Sequence, residues 1–271
     1  ICPDNIFHNT ISNIKKTLKK YKVYNELVEI QNKETANKYL GFKDKKIIPF
    51  FKVSNVKGSN IDILRYFLLN MDSIYNWNEL CEEKQFFVIE DIFFVKGVGL
   101  VVSGTLTQGV INKNDKIMIG PINGIFHEVF IKTIHNNFKT HVEKLEAGCS
   151  GCFNIKSTDK KFILKRNILK RGMIMLDKTH VNHTYSEFEA KIKILHHPST
   201  IYKNYEAIIH CGSTKQIARI IHIDKDCLRT GDHSKVIFRF KKKPEFIQEG
   251  KQIVFREGQT KGLGYITKLI S

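Results

Sequence analysis

From Gln85 to the last residue, Gly, Asn and Asp cut the sequence into short runs of β-branched and aromatic residues. "FFVIEDIFFV", "GLVVSGTLTQG", "DKIMIG", "HEVFIKTIH", "GCFNIKS" and "GMIMLD" form one series. A second starts near Tyr185 with "SEFEAKIKILHH", "YEAIIHCGS", "KQIARIIHID", "HSKVIFRF", "KQIVFREG" and "GLGYITKLI". Runs of this length, punctuated by turn residues at even spacing, suit a small barrel or sandwich. Two consecutive all-β domains follow, 85–178 and 179–271.

One stretch invites a different reading. "GVGLVVSGTLTQG", residues 97–109, carries Gly97 and Gly99 at the first two positions of a dinucleotide-binding loop, but Val102 stands where the third Gly belongs. "LVVSGTL" has strand composition, whereas that loop must open a helix. No GxxxxGK[ST] run occurs in the chain. "NKET", residues 32–35, imitates the guanine-reading NKxD motif with Thr35 in place of the base-pairing Asp. The glycines therefore read as turn and bulge residues.

Ahead of the β series the texture is α/β. Residues 9–21 read as an amphipathic helix with Ile11, Ile14, Leu18 and Tyr21 at 3-4-3 spacing. "IIPFFKV", residues 47–53, is a continuous apolar run with a Pro near its start, as a buried strand allows. "SNVKGSN" breaks it, and Ile61, Leu64, Leu68 and Met71 then mark a second helix with Asn60 or Ser59 as N-cap. Strand, polar loop and helix look like the last piece of an α/β domain, residues 1–72. "SIYNWNELCEEK", residues 73–84, reads as a linker.

At 271 residues the chain has room for two or three small domains. Its net charge of +17 points to a polyanionic partner, RNA or DNA before an acidic membrane; an AT-rich genome that inflates Lys codons is the other source of such a charge. No run of eighteen apolar residues exists to span a bilayer. The opening "ICPDNIFHNT" lacks a basic n-region, an apolar h-region and a Met, so the chain is expected to begin inside a longer protein. Cys2, Cys81, Cys149, Cys152, Cys211 and Cys227 are scattered and read as reduced thiols. "CSGC" has redox or half-zinc spacing without a second CxxC, so Cys149 and Cys152 are expected to be buried barrel residues. The His and Cys of "LHHPST", "IIHCGS" and "IIHIDKDC" are likewise expected to be structural.

"IEDIFFVKGVGLVVSGTLTQGVINKNDKIMIGP" resembles the start of domain II of translational GTPases such as elongation factor Tu. There, a strand with an acidic pair and a Phe precedes G-x-G-x-V-x-x-G-x-x-x-x-G-x-[IL]-x-x-x-D. "LEAGCSGCFNI" and "ILKRGMIML" resemble later domain II strands; "LRTGDHSKVIFRF" and "IVFREGQTKGLGYITKLI" are similar to domain III with its terminal R-E-G-x-T-x-G-x-G. Within that superfamily, "LHHPSTI", "IIHCGSTKQ", "IDKDCLRTGD" and "VFREGQTKGLG" most resemble the GTP-binding protein 1 and 2 group of eukaryotes, which has relatives in giant viruses. "PFFKVSNVKGSNIDILRYFL" looks like the end of the GTPase (G) domain.

The resemblance implies a mainly β chain, two barrels of the domain II and III type after a partial G-domain remnant. It places the loop at Ser54 and Asn55 in the last guanine-contacting motif, by position only, through a backbone N–H. Glu90, Asp91 and Phe93 fall on the strand that helps form the domain II pocket for the 3′ end of tRNA, and His135 falls where an acidic residue is usual. Phe93 and His135 would give a terminal adenine a wall and a polar group; as a bare sequence, Phe93 reads equally as core and Glu90 as solvated. Arg256, Thr260 and Lys261 surround the "REGQTKG" turn and suit contacts to RNA phosphate. Arg256 beside Glu257 also allows a structural ion pair. Lys241, Lys242 and Lys243 read as a solvated run that adds non-specific RNA affinity. GTP and Mg²⁺ are implied for the full-length parent, and neither a cofactor, a metal nor catalysis for this chain, which lacks the groups that phosphoryl transfer needs. Implied partners are tRNA or the ribosome; an adaptor role for RNA-decay proteins is the alternative. No membrane contact is implied, a monomer is expected, and the location is the cytoplasm, the host's if the gene is viral.

Overall fold

The computed structural model describes residues 4–20, 26–40, 47–179 and 183–270. Cys2 and Tyr21, singled out in the sequence, lie outside the described residues. The chain divides into two compact units, Ile1–Tyr75 and Asn76–Ser271.

The first unit holds α1 (Asp4–Lys20), β1 (Glu26–Glu29), α2 (Lys33–Tyr39), β2 (Ile47–Phe50) and α3 (Ile61–Asn70). β1 and β2 pair in parallel, Glu26 opposite Ile47 and Glu29 opposite Phe50. Parallel neighbours need a crossover, and α2 supplies it. "NKET" opens this helix as a capping box: Asn32 Oδ1 accepts from the Thr35 N–H at 2.8 Å, and Thr35 Oγ1 accepts from the Asn32 N–H at 3.2 Å. The core consists of Ile30, Ala36, Ile63 and Phe67, with Phe51 edge-on to Phe67. The face of α3 differs from the expected one. Ile63 and Phe67 are buried, while Leu68 and Met71 are exposed. "IDILRYFLL" is apolar nearly all round, so periodicity leaves the phase open and packing on the strands decides it. At the α3 N-cap, Asn60 has φ +59 and sends its amide to the Lys52 carbonyl at 2.8 Å instead of capping.

The second unit begins with a six-residue helix, α4 (Trp77–Glu82), inside the stretch that reads as linker. It is docked on the barrel that follows: the Gly109 N–H donates to the Leu80 carbonyl at 2.8 Å. That barrel is built from β3 (Phe86–Val95), β4 (Gly99–Gln108), β6 (Lys116–Ile122), β7 (Ile125–Asn136), β10 (Ser150–Ser157) and β11 (Ile174–Leu176). The order β10-β4-β3-β11-β6-β7 closes through a β7–β10 pairing. β8 (His141–Val142) adds to β7, and β5 (Val110–Asn112) pairs with β9 (Lys144–Glu146) outside the ring. Phe87, Val102, Leu106, Ile119, Ile131 and Phe153 fill the interior, Phe87 and Phe153 edge-to-face at 4.8 Å. Gly97 (φ +81) and Gly99 (φ +107) make the β3–β4 turn, which settles the reading of the glycine-rich run.

The second barrel comprises β12 (Glu187–His196), β13 (Glu206–Cys211), β14 (Thr214–Ile223), β15 (His233–Phe240), β16 (Gln252–Glu257) and β17 (Thr260–Ile270). Its order is β12-β15-β14-β13-β16-β17, closed by β17 on β12. Phe188, Ile192, Ile209, Ile220, Phe238 and Phe255 fill it. Both cores follow from the inward alternation of apolar residues along most of the strands. A smaller cluster joins the barrels, with Phe246 against Phe86 and Phe126. No helix among the described residues is long and apolar enough to cross a membrane.

Candidate nucleic-acid interface

Register assembles an outward-facing row on the first barrel: Asp91 (β3), Ser103 (β4), Cys152 (β10), His135 (β7) and His141 (β8). Two of the expected pocket residues, Asp91 and His135, thus share a row, three strand spacings or about 14 Å apart. Glu90 occupies an irregularity in the β3–β4 register and accepts from Thr105 Oγ1 at 2.9 Å. Both Asp91 oxygens take Arg171 Nη2 at 2.9 Å. That guanidinium, helped by the Ile92 N–H, holds the carboxyl below its ordinary range. Phe93 points outward, 43% exposed, with Phe94 at 70% beside it on the hairpin. His135 and His141 rings lie 4.0 Å apart. Past them, a groove of about 620 Å³ runs along the β7–β8 turn, lined by Asn136, Phe138, Lys144, Cys149 and Ser150 among others.

The "CSGC" cysteines depart from expectation. Cys149 is exposed in the turn before β10 and Cys152 is half-buried on the outer face, where strand alternation puts it. Burial pushes the Cys152 thiol up, away from the thiolate a redox centre needs. No group of three or more His, Cys, Asp or Glu among the described residues is placed to hold a metal.

On the second barrel, Arg256 and Lys261 are opposite each other on β16 and β17, both exposed. Neither forms an ion pair among the described residues; in particular Arg256 does not pair with Glu257. Thr260 turns inward at 2% exposure, its hydroxyl bonded to His197 Nδ1 at 2.7 Å and accepting from the Tyr205 hydroxyl at 2.8 Å. Its side chain anchors the strand and does not meet solvent.

The joint between the barrels holds a cleft of about 370 Å³ whose lining includes Lys170, Arg171, Lys215, Lys242 and Lys243 against one carboxylate, Glu245. Glu245 is buried, accepts from Gln216 Nε2 at 2.8 Å and lies 3.6 Å from Lys243. Burial pushes its pKa up, and Lys243 opposes the shift. Gln216 also shapes the lysine run: its carbonyl accepts the Lys242 and Lys243 N–H groups at 2.8 and 3.1 Å. Within that run Lys241 is neutralised by Glu206 at 2.8 Å, whereas Lys242 has no acidic partner among the described residues. Lys170 and Lys215 escape a reading of the sequence because each is one lysine among many; only "KKKP" signals the place.

In the first unit, the Ser54 N–H donates to the Ser59 carbonyl at 3.1 Å and Ser54 Oγ accepts from the Lys57 N–H at 3.2 Å. Asn55 is exposed, and its N–H has no hydrogen-bond partner among the described residues. This loop can offer one backbone donor to a base. The chain contains no GxxxxGK[ST] phosphate-cradling motif.

No family model matches the chain. It is similar to GTP-binding protein 1 of Xenopus laevis, 38% identical over 275 residues that cover 100% of this chain and 40% of that protein. GTP-binding protein 2 of Mus musculus is 34% identical over 226 residues, 82% of this chain and 36% of that protein. Elongation factor 1-alpha of Methanocella arvoryzae is 26% identical over 275 residues, 90% of this chain and 62% of that protein. The chain spans well under half the length of the first two relatives. Twin closed barrels in the order of elongation-factor domains II and III, together with these relatives, identify the lineage: the chain belongs to the translational GTPase family.

Proposed function

We propose that the two barrels are the RNA-holding part of an elongation-factor-like protein whose GTPase domain binds and hydrolyses GTP with Mg²⁺. In this reading residues 1–72 end that G domain, 73–84 connect, and 85–178 and 179–271 are domains II and III. The partner is tRNA or ribosomal RNA, and the work is cytoplasmic, the host's if the gene is viral.

One observation carries the reading: five cationic side chains face one buried carboxylate across the barrel joint. Such a cleft matches a phosphate backbone, whose neutralisation releases counterions and favours binding. Arg171 connects this cleft to the outer row, because it lines the cleft while gripping Asp91. A phosphate drawn to Arg171 competes with Asp91 and frees a carboxylate beside Phe93 for the edge of an unpaired base. His135 and His141 offer ring faces along the same row.

Filter binding of the purified chain to charged and uncharged tRNA at two salt concentrations tests this. Tight, steeply salt-dependent binding is expected; no binding at low salt would overturn it. The second reading, a GTP-switched adaptor for RNA-decay proteins, is favoured by the apolar β3–β4 hairpin, where Phe94 is 70% and Val98 44% exposed. Loss of a protein partner on Phe94→Ser, with tRNA absent from the complex, is its signature.

A further inference from the structure

The cleft lies on β13 and β14; the opposite wall of the second barrel, β15-β12-β17-β16, carries a different surface. Two adjacent outward rows run straight across it. One is Lys235, Lys191, Tyr265 and Gln252; the next is His233, Lys193, Leu263 and Val254. Between them lies a shallow groove of about 480 Å³ bordered by Lys191, Lys193, His233, Lys235, Leu263 and Tyr265.

Three features of this wall are unusual together. Lys191 stands directly opposite Lys235, whereas like charges in register on neighbouring strands destabilise a sheet. Lys235 has a carboxylate 3.9 Å away in Glu189; Lys191 and Lys193 have no ion-pair partner among the described residues. Tyr265, in the same row, leaves its ring 52% exposed, and Val254 beyond it is 46% exposed. Unmatched cations alone would suit any polyanion. An open aromatic ring next to them in the row suits a polyanion that also carries flat apolar faces, which is a nucleic acid strand with its bases free. A paired helix hides those faces.

We propose that this wall binds single-stranded RNA, one base stacked on Tyr265 and the adjoining phosphates, to one side of that base, on Lys191, Lys193 and Lys235. It is a separate surface from the tRNA-facing cleft and does not depend on that reading. The strand spacing sets Lys235, Lys191 and Tyr265 across about 10 Å, within reach of one nucleotide and its two phosphates.

The test is fluorescence anisotropy of the purified chain with a labelled oligouridylate of roughly ten nucleotides at low salt. Tyr265→Ala is expected to weaken binding by roughly 5- to 150-fold, and Tyr265→Phe to retain it, because stacking needs the ring and not the hydroxyl. Lys191→Glu with Lys193→Glu should weaken binding and flatten its salt dependence. Tyr265 and both lysines are on the surface, so matched thermal melts separate binding from folding. Oligouridylate affinity unchanged by Tyr265→Ala and by the lysine pair overturns the proposal. So does Tyr265-dependent binding of an acidic peptide by a chain that ignores oligouridylate, which would make the occupant a protein.

Discussion

Glu245 keeps a buried carboxylate in the joint between the barrels, hydrogen-bonded to the Gln216 amide and 3.6 Å from Lys243. Burial raises its folded pKa above the unfolded value, Lys243 notwithstanding. Unfolding then releases protons in the window between the two values, so stability falls as pH rises through it. Glu245→Gln keeps an acceptor for Gln216 and removes that loss. Relative to the unmodified chain, its melting temperature is expected to be higher near neutral pH, the gap closing as pH falls into the ordinary carboxylate range. Thermal melts from about pH 4 to pH 8 read this directly; a gap independent of pH contradicts it. Thr260 shows where residue-level reading of the sequence stops. Its inward direction follows from the alternation of β17, in which Thr260, Gly262, Gly264 and Ile266 face the core. Two of those four are glycines, so the apolar pattern that fixes phase elsewhere is silent here. Lys261, one step on, faces out as expected.

Among elements, the strands were the most legible part of the chain. Each quoted run from Gln85 onward coincides with a strand or the end of one, because alternation and turn glycines act locally. The short helix α4 was not, since six residues of mixed polarity carry no period, and its place is set by the Leu80 carbonyl and by Trp77 against Gly148. How the two barrels meet was also invisible in the sequence. Gly172, at φ +86, brings its Cα so near the β13–β14 turn that a Cβ would lie 2.6 Å from the Ser213 carbonyl. Gly172→Ala is expected to cost ~1–3 kcal/mol, combining left-handed strain with a clash against backbone. Gly250→Ala is the control, with φ +76 and open space around the site. Differential scanning calorimetry should show the larger drop in melting temperature for Gly172→Ala; equal drops would mean that the joint yields at no cost.

Across the whole molecule, the basic excess is distributed unevenly in its effect. Some of the basic side chains are paired locally, as Lys241 and Arg219 are with Glu206 and Arg239 with Glu187. Three cations without an ion-pair partner among the described residues, Lys170, Lys215 and Lys242, come together at the cleft from separate segments, beside the paired Arg171 and Lys243. The charge was legible from composition, the place was not, because tertiary contact alone joins those segments. If the cleft grips tRNA, Lys215→Glu with Lys242→Glu should lower the slope of log K against log salt by roughly 1.5 to 2, measured by filter binding over a salt series. An unchanged slope would remove the cleft from the interface.

The closing of β17 onto β12 has a final effect on how this barrel can meet the rest of a cell. Each strand of the ring is paired on both sides, so a visiting peptide finds no free edge strand to extend. Recognition here must be written in side chains and turn tips. A handful of surface substitutions can therefore redirect what docks while the scaffold beneath stays as it is.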